Sequence, residues 1–383
     1  MKKSNIYGAK KKRIEFGELQ IGDVAKKHLL EVVDSNWASY GSKSIQFEKK
    51  WGEIFDYKYN LSTSSGTDAV IQCCLSLYNL GAEIGDEVIT PALSFIATSN
   101  AIRAAGFTPK FVDIEKETLN IDPSKIEEAI TNKTKAIMVV HTMGKPCNMQ
   151  KICDIAKKYN LTVIEDACES HGAKFQGKYI GKWGDMSCYS FYVAHLICCG
   201  EGGMVSTDYE SIYETISSTR CHGRSGLYFN HPLFGLNSKM NDLEASLGLE
   251  GVENFHETFN IRHNNMMYLH ERLSAYKDRA WYSEQDEGDL NCPHGFSVTL
   301  KRPGQLEAIT KILDEEEIHW KRNFGCIPTQ HSAFSYLKHK IGDFPNAEHV
   351  GDNGIHLGVH RYLSDKDVQD IGDALAKGLE KCL

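Results

Sequence analysis

The chain has 383 residues, of which 41% are hydrophobic and 25% charged, and its formal net charge is −8 at neutral pH. This composition is ordinary for a globular enzyme, and the length allows two domains with a sizeable core. The acidic charge argues against a nucleic-acid-binding protein, which would carry a basic excess. No apolar run approaches the length of a membrane span, and none follows the charged N-terminus, so we expect neither a membrane protein nor a signal peptide.

The cysteines are interpreted as reduced thiols. Among the twelve, Cys73-Cys74 and Cys198-Cys199 are adjacent pairs, which are poorly suited to structural disulfides. No Cys-x-x-Cys spacing occurs, so a zinc or redox motif has no support and we expect no metal site. Reduced thiols fit a cytoplasmic protein best. The basic run Lys10–Arg13 is interpreted as a short solvated tail rather than a partner-binding patch.

From about residue 20 to residue 210, helical patterns alternate with short apolar runs. This alternation predicts a mainly parallel sheet that is covered by helices on both faces. The predicted helices are Asp23–Ser35, Gly66–Leu80, Ser94–Ala105 and Met149–Tyr159, and the predicted strands are Glu87–Thr90, Pro109–Asp113, Ala136–Val140 and Thr162–Glu165.

After about residue 250 the pattern changes. A long helix at Val252–Tyr276 is predicted to lead to a strand at Gly295–Leu300, and further helices are predicted at Gln305–Glu317 and Asp365–Lys381. This order is typical of a smaller α+β domain. We therefore predict a large domain over residues 20–250 and a small C-terminal domain over residues 251–383.

Two segments of the large domain are candidates for ligand binding. The turn at Ser64–Val70 is rich in small residues and begins a helix, where backbone N–H groups favour an anion such as phosphate. Many helices begin in this way only because such residues are caps. Asp166 follows a strand, at the edge where α/β proteins bind ligands, and a carboxylate there can keep a pyridine nitrogen protonated. A lone acid would otherwise be interpreted as a solvated or capping group.

His195 is the most informative residue of the chain. Cys188–His195 followed by Gly200–Val205 predicts a strand, a tight turn and a second strand. In a large group of pyridoxal phosphate (PLP) enzymes, a Ser-Phe pair and a Gly-Glu-Gly-Gly sequence flank a lysine that binds the cofactor as a Schiff base. Here the same sequences flank a histidine, which cannot form that bond but can transfer a proton. The pattern indicates PLP-type chemistry with a cofactor that is not tethered to the protein.

With these motifs, the sequence resembles the sugar aminotransferases of the DegT/DnrJ/EryC1/StrS group over almost its whole length. The resemblance implies the α/β PLP-dependent transferase fold type I, PLP or pyridoxamine phosphate (PMP) as cofactor, a nucleotide-sugar substrate and glutamate as amino donor. The histidine in place of lysine points to the sugar 3-dehydratase branch of the group. The motifs that carry the resemblance are Tyr40-Gly41, Phe47-Glu48, Ser65–Thr67, Pro91–Phe95, Phe111–Asp113, Glu165-Asp166, Ser190-Phe191, Arg220–Gly223 and Gly235–Met240.

The resemblance also implies how the large domain binds the cofactor. By motif, Gly66, Thr67 and Ser190 would hold the phosphate group. Phe95 would stack on the pyridine ring, and Asp166 would pair with the ring nitrogen.

Further residues are assigned by the same resemblance. Glu169 stands near the cofactor where typical aminotransferases have glutamine, and the dehydratase branch also has glutamate there. Asn237 matches a residue that reaches the phosphate of the neighbouring subunit, which implies a homodimer with shared active sites. His195 would transfer protons. His222 is a second candidate for proton transfer, with a structural role at its turn equally compatible.

Several alternatives stay open. Lys239 stands where an arginine is usual, and Arg322–Cys326 is not a familiar substrate-loop sequence, so the nucleotide and sugar are not assigned. An iron–sulfur 3-dehydratase is disfavoured because the clustered cysteines that it needs are missing. An aminotransferase that uses free PMP, and a catalytically silent sugar-nucleotide or PLP binder, rank behind the dehydratase. Residues that could contact substrate or be ordinary surface residues are His141, Lys145, Arg322 and His331.

Overall fold

Parallel strands form the centre of the larger of two main sheets. The structure is a computed structural model that describes residues 13–226, 229–282 and 284–382, so that Lys10–Lys12 of the basic run lie outside the described residues. Within these ranges there are thirteen strands: β1 (Tyr59–Thr63), β2 (Glu87–Pro91), β3 (Thr108–Val112), β4 (Thr134–Val140), β5 (Thr162–Asp166), β6 (Lys174–Phe175), β7 (Lys178–Tyr179), β8 (Met186–Ser190), β9 (Gly203–Thr207), β10 (Ala280–Tyr282), β11 (Gly295–Leu300), β12 (Trp320–Arg322) and β13 (Gly354–Gly358).

Helices cover the sheets and connect the strands. The α-helices of the described residues are α1 (Asp23–Ser35), α2 (Ser42–Phe55), α3 (Gly66–Ser76), α4 (Ala97–Ala104), α5 (Ile126–Ala129), α6 (Met149–Tyr159), α7 (Glu210–Thr219), α8 (Asp242–Glu253), α9 (Phe255–Arg272), α10 (Leu306–Glu315), α11 (Ile327–Gln330), α12 (Pro345–Asn353) and α13 (Asp365–Glu380). Among these ranges, no helix combines the length and apolar character needed to cross a membrane.

The large sheet has seven strands in the order β1-β9-β8-β5-β4-β2-β3. The neighbours from β8 to β3 are all parallel, whereas β9 runs antiparallel to both β8 and β1. The interior strand β4 is buried along almost its whole length, because helices pack on both faces of the sheet. The predicted α/β class with a mainly parallel sheet is confirmed.

Two predicted connections differ from the structure. The predicted single helix from Val252 to Tyr276 is wrong, because α8 ends at Glu253 and α9 begins at Phe255. Asn254 between them has φ −91° and ψ 4°, outside the helical region, and it caps both helices. The predicted tight turn after Cys188 is also wrong. β8 ends at Ser190 and β9 begins at Gly203, so His195 lies in a long loop over residues 191–202.

The second main sheet is antiparallel, in the order β10-β11-β13-β12, and we call the part of the chain built on it the small domain and the part built on the seven-stranded sheet the large domain. Its core combines this sheet with α9, α10 and α13, which bury Leu269, Leu313 and Leu375 completely. Ile14 joins the same core, because it forms a parallel bridge to Ile318. The N-terminal segment therefore packs on the small domain, although the sequence-based division began at residue 20.

Candidate active site

The first turn of α3 lies against the end of β8. The Ser65 side chain caps the helix, and its oxygen accepts a hydrogen bond from the backbone N–H of Asp68 at 3.0 Å. Gly66 is so close to Ser190 that a Cβ atom at this glycine would lie 2.5 Å from the serine Cβ. The first backbone N–H that donates within the helix is that of Ala69, to the Ser65 carbonyl, so the N–H groups of Gly66 and Thr67 have no acceptor in the helix ladder. Together with the Ser190 hydroxyl they form a cradle suited to phosphate.

Asp166 lies at the carboxyl end of β5 and is 4% exposed. The Thr98 hydroxyl donates a hydrogen bond to its Oδ2 atom at 2.7 Å, and the backbone N–H of Cys168 donates to Oδ1 at 3.2 Å. These two donors hold the carboxylate in one orientation at the edge of the sheet. A buried, oriented carboxylate of this kind is suited to a cationic partner such as a protonated ring nitrogen.

Phe95 presents an aromatic ring to the same edge of the sheet. It follows β2 in the loop before α4, and it is 60% exposed although its neighbours Leu93 and Ser94 are buried. One edge of the ring contacts Phe324, at 6.1 Å between ring centroids. An exposed ring that is fixed in this way is available to stack on a planar ligand.

Three histidines from distant parts of the chain meet beside this edge, and we refer to His171, His195 and His294 as the histidine cluster. The ring centroids of His171 and His195 are 5.7 Å apart, and those of His195 and His294 are 5.0 Å apart. His171 follows β5, His195 lies in the loop over residues 191–202, and His294 immediately precedes β11 of the small domain. The cluster therefore spans the boundary between the two domains.

Burial determines the charge state of the histidine cluster. It lowers the pKa of His171 to about 3 and lowers the pKa values of His195 and His294 well below the ordinary histidine value, with the nearby Arg262 cation acting in the same direction. All three imidazoles are therefore neutral at pH 7, and His195 is able to accept a proton. Within the described residues, His171 Nε2, His195 Nδ1 and His294 Nδ1 are buried without a hydrogen-bond partner.

Glu169 completes the polar wall beside the histidine cluster. Its Oε2 atom accepts a hydrogen bond from the backbone N–H of Met143 at 2.7 Å, and its Oε1 atom is 3.5 Å from Nε2 of His294. Burial raises the pKa of Glu169 to about 7, and the carboxylate of Asp166 acts in the same direction. A carboxyl group with this pKa can both donate and accept a proton near neutral pH.

Arg262 of α9 holds the two halves of the histidine cluster together. Its side chain is buried, and its guanidinium group donates hydrogen bonds to the carbonyl oxygens of Pro293 at 2.8 Å, His294 at 2.5 Å and Ala194 at 3.2 Å. These carbonyl groups belong to His294, to the residue before it and to the residue before His195. One side chain thus fixes the backbone beneath both rings, and burial lowers the pKa of Arg262 to about 10.

The N-terminal segment, residues 13–19, covers the histidine cluster from outside. The ring of Phe16 lies edge-on to His294 at 6.3 Å between centroids, and a Cβ atom at Gly17 would approach Ala194 Cα to 3.1 Å. A cavity of about 250 Å³ remains between this part of the chain and His195, with Arg262 also in its lining. The segment therefore forms one wall of the candidate site.

Sequence reasoning missed His294, Arg262 and the N-terminal segment. No local motif marks them, because each becomes part of the site only through contacts between residues far apart in the chain. His171 is different, since it lies close in the chain to Asp166 and Glu169, which the sequence had already indicated as site residues. Its place six residues after Glu165 was the only available signal.

Asn237, Lys239 and His222 lie on the turns that follow α7. Asn237 is exposed, and its Oδ1 atom accepts a hydrogen bond from Lys239 Nζ at 2.6 Å. His222 is also exposed, in a left-handed conformation with φ +63°. In the part of the chain that the structure describes, no ring contact or hydrogen bond joins His222 to the histidine cluster. The assigned roles of Asn237 and His222 stay predictions.

Two of the residues left open as substrate contacts have partners inside the protein. His141 is completely buried, with Nε2 3.1 Å from Glu165 Oε2 and Nδ1 accepting a hydrogen bond from the N–H of Cys147. Lys145 is buried and pairs with Asp286 at 2.5 Å. Both side chains therefore have structural partners, and neither is an ordinary surface residue.

Asp166 belongs to a group of possible metal ligands. The Asp166 carboxylate and the thiols of Cys168 and Cys188 lie within 4.8 Å of one another. Burial raises the pKa of Cys188 well above the ordinary thiol value, and that of Cys168 is raised first by its hydrogen bond to Cys188 and then by burial. Both thiols are therefore protonated at neutral pH, and a protonated thiol is a poor metal ligand. The donor set favours a cationic organic partner for Asp166.

Fold and site together define the class of protein. The start of α3, the oriented carboxylate at the end of β5 and an exposed aromatic ring lie at one edge of a mainly parallel sheet, in an arrangement suited to pyridoxal phosphate. The unpartnered imidazole nitrogens beside this edge are polar groups of the kind that a bound ligand would satisfy. The protein is a PLP-dependent enzyme of the aminotransferase fold type I.

Comparison with known proteins gives the family. Residues 20–376 match the DegT/DnrJ/EryC1/StrS aminotransferase family, and the chain belongs to this family. It is 43% identical to GDP-perosamine synthase of Escherichia coli O157:H7, over 90% of this chain and 92% of that protein. It is 29% identical to GDP-4-keto-6-deoxy-D-mannose 3-dehydratase of Yersinia pseudotuberculosis, over 90% of this chain and 94% of that protein.

A solved structure shares the whole architecture. The E. coli GDP-4-keto-6-deoxy-D-mannose-3-dehydratase with bound hydrated PLP matches with a TM-score of 0.85 and 26% sequence identity, over 94% of this chain and 99% of that chain. The family therefore includes enzymes that add an amino group to a sugar and enzymes that remove a hydroxyl group. Membership alone leaves the reaction of this chain undetermined.

Proposed function

We propose that the protein is a PMP-dependent dehydratase that removes the C3 hydroxyl group of a nucleotide-linked 4-keto-6-deoxyhexose, with glutamate regenerating PMP. The observation that carries the proposal is His195, an imidazole at the position where the flanking motifs call for the cofactor-binding lysine. Histidine has no amine with which to form a covalent bond to the cofactor aldehyde, so a cofactor bound here would be held by noncovalent contacts alone.

The residues of the site divide the work. When bound, PMP supplies an amine that condenses with the keto group of the sugar and a ring that accepts electrons. Asp166 would orient that ring through its nitrogen, and the cradle at Gly66 and Ser190 would hold the phosphate. His195, neutral at pH 7, accepts a proton at a ring nitrogen and returns it to the departing hydroxyl oxygen.

Glu169 supports the same reaction independently. A glutamine at this position could not titrate, whereas the Glu169 carboxyl has a pKa raised to about 7 by burial. The site thus contains both a neutral base and a carboxyl group that is partly protonated at neutral pH. Elimination of a hydroxyl group needs a proton to be removed at one atom and a proton to be added at another.

The second candidate function is amination of the same class of keto sugar with free PMP. The 43% identity to GDP-perosamine synthase over 90% of the chain favours it. It predicts an amino sugar as product and no release of ammonia. A catalytically silent binder of PLP or a sugar nucleotide ranks third, because the phosphate cradle, Asp166 and Phe95 are all in place.

Assembly and location are part of the proposal. Exposed Asn237 lies on a surface turn, where it is available to reach the phosphate site of a second copy of the chain, and this supports a homodimer with shared active sites. All twelve cysteines are free thiols in the structure, which supports a reducing, cytoplasmic environment.

The proposal is tested by mass spectrometry of the product. The enzyme is incubated with PLP, glutamate and a 4-keto-6-deoxyhexose nucleotide, beginning with the GDP-linked sugar. Loss of one oxygen atom from the sugar together with release of ammonia is expected. Replacement of the keto oxygen by an amino group would establish the aminotransferase instead. Failure with every nucleotide tested would favour the silent binder.

A further inference from the structure

We propose that His294 is a positioning residue that relays protons between the His195 imidazole and the Glu169 carboxyl group. The proposal rests on the proposed function, because it takes His195 as the group that exchanges a proton with the reacting atoms. It adds a third member, supplied by the small domain, to a pair of residues that both belong to the large domain.

His294 lies between the two groups that it would connect. Its ring centroid is 5.0 Å from that of His195, and its Nε2 atom is 3.5 Å from Oε1 of Glu169. The remaining ring nitrogen, Nδ1, is buried and has no partner among the described residues, and the same holds for Nδ1 of His195. Since neither Nδ1 atom makes a hydrogen bond within the described residues, a proton would pass between the two rings through one bridging water.

A purely structural side chain would not need this chemistry. His294 is 4% exposed and lies edge-on to Phe16, so an apolar ring would fill the same volume without leaving a polar nitrogen unpartnered. An imidazole has one property that an apolar ring lacks, because it can accept a proton on one nitrogen and donate one from the other.

The surroundings fix the relay in place. Arg262 donates hydrogen bonds to the carbonyl groups of His294 and Ala194, so it holds the backbone of both imidazoles with one buried guanidinium group. Since Ala194 is in the large domain and His294 is in the small domain, the relay is complete only when the two domains are docked.

Burial and, after it, the charges around His294 lower its pKa and keep it neutral between transfers. Arg262 of α9 and Lys321 of β12 provide positive charge, and Glu169 and Asp166 on the β5 side provide the acidic groups. The other imidazoles whose charge acts on His294 are His356 of β13 and His171, after β5. A proton that reaches His195 passes to His294 as another leaves His294 for the Glu169 carboxylate. The reverse sequence returns a proton to His195, so protons and charge balance over one turnover.

The test compares three variants of the PMP-loaded enzyme. His294→Leu removes the relay and the contact to Glu169, whereas His294→Gln keeps a donor near Glu169 but cannot relay a proton. His356→Gln is the matched control, because His356 is also buried in the small domain and contacts Phe16, while its Nδ1 atom pairs with Asn323 at 3.1 Å. The kcat and KM of each variant are measured from about pH 5.5 to about pH 9, a range centred near the Glu169 pKa of about 7. In a separate experiment without sugar, Glu169 is titrated by NMR of carboxyl-labelled glutamate.

Both His294 variants are expected to lower kcat by roughly tenfold to a hundredfold, with KM changed by no more than about threefold. In His294→Leu an apolar side chain replaces the imidazole that lies 3.5 Å from the Glu169 carboxyl group, so the carboxylate is less favoured, its pKa rises above about 7 in the NMR titration and the kcat profile shifts in the same direction. His356→Gln is expected to retain the wild-type profile.

Two results would overturn the relay. One is a wild-type kcat and pH profile in both His294 variants, and the other is an equal loss of kcat in His356→Gln, which would mark a general packing effect. Failure of the proposed function is recognised separately. If the wild-type product is an amino sugar, the same variants are compared on that reaction, and the NMR titration, which contains no sugar, is unaffected.

Discussion

The phosphate cradle and the histidine cluster lie at the same edge of the sheet but are built in opposite ways. The cradle joins the first turn of α3 to the end of β8, and each part is a short continuous motif in the chain. The histidine cluster joins residues 171, 195 and 294, from two domains, through ring contacts and one buried arginine. The proposed cofactor site thus depends on short sequence motifs, whereas the histidine cluster depends on long-range packing.

The two regions also differ in their contact with water. Thr67 of the cradle and the nearby Phe95 ring are exposed, so hydrogen-bond donors and an aromatic face are accessible to a ligand. The histidine cluster is buried, and burial lowers the pKa values of its members. An open, hydrogen-bonding region is suited to hold an anion, and a buried region is suited to control where protons reside. Substitutions in each region should therefore fail in different ways.

The largest effect is expected from His195→Lys. A lysine amine would bind the cofactor aldehyde covalently, and the base would be replaced, so dehydration should fall by at least about a thousandfold. The covalent attachment is measured by borohydride reduction and peptide mass spectrometry. His195→Asn serves as the matched control, because it removes the base without adding an amine. A His195→Lys enzyme that dehydrates at the wild-type rate would refute the role assigned to His195.

A somewhat smaller loss is expected from Asp166→Asn, on the cradle side of the comparison. The amide keeps the shape of the side chain but removes the charge that pairs with the ring nitrogen, so kcat should fall by about a hundredfold. The absorbance spectrum of the bound cofactor should change as well. Asp185→Asn is the control, since Asp185 is bound to the N–H of Val163 at the other end of β5. Equal losses in the two variants would contradict a specific role for Asp166.

The smallest effect is expected on the free energy of unfolding, in the variant Glu169→Gln. A carboxyl group whose pKa is raised from 4.5 to about 7 on folding is protonated more readily in the folded state, so stability is lost as the pH rises from 4.5 through 7. Glu169→Gln should therefore raise the free energy of unfolding by up to about 3 kcal/mol at pH 8 and change it little at pH 4.5.

Thermal unfolding of the cofactor-free protein at the two pH values measures this difference, with exposed Glu287→Gln as the control. A gain of equal size at both pH values would show that the Glu169 carboxyl does not titrate as described. The activity of Glu169→Gln should fall while its stability rises, because the Glu169 carboxyl group is costly to bury but takes part in the proposed reaction.

The sequence predicted the fold, and it supplied the motifs of the proposed cradle, because both depend on local patterns. Helix α1 begins and ends at the predicted residues, and strand β11 does the same. The predicted turn after Cys188 was wrong because Gly200 and Gly202, both with positive φ, close a longer loop that no periodicity marks. His294 and Arg262 could not be predicted, since nothing in Pro293-His294 or around Arg262 distinguishes them from ordinary buried residues until the two domains pack.

The N-terminal segment has a consequence for how the enzyme is made. Ile14 donates a hydrogen bond to Glu317, and Glu15 is 3.0 Å from His319, a pair that is 304 residues apart. At ordinary rates of translation, roughly 15 to 60 s separate the synthesis of these two residues. Until the small domain has been made, the N-terminal segment lacks these partners. The wall that it forms beside the loop over residues 191–202 is therefore completed only when the small domain emerges from the ribosome. The newly made protein completes its active site last.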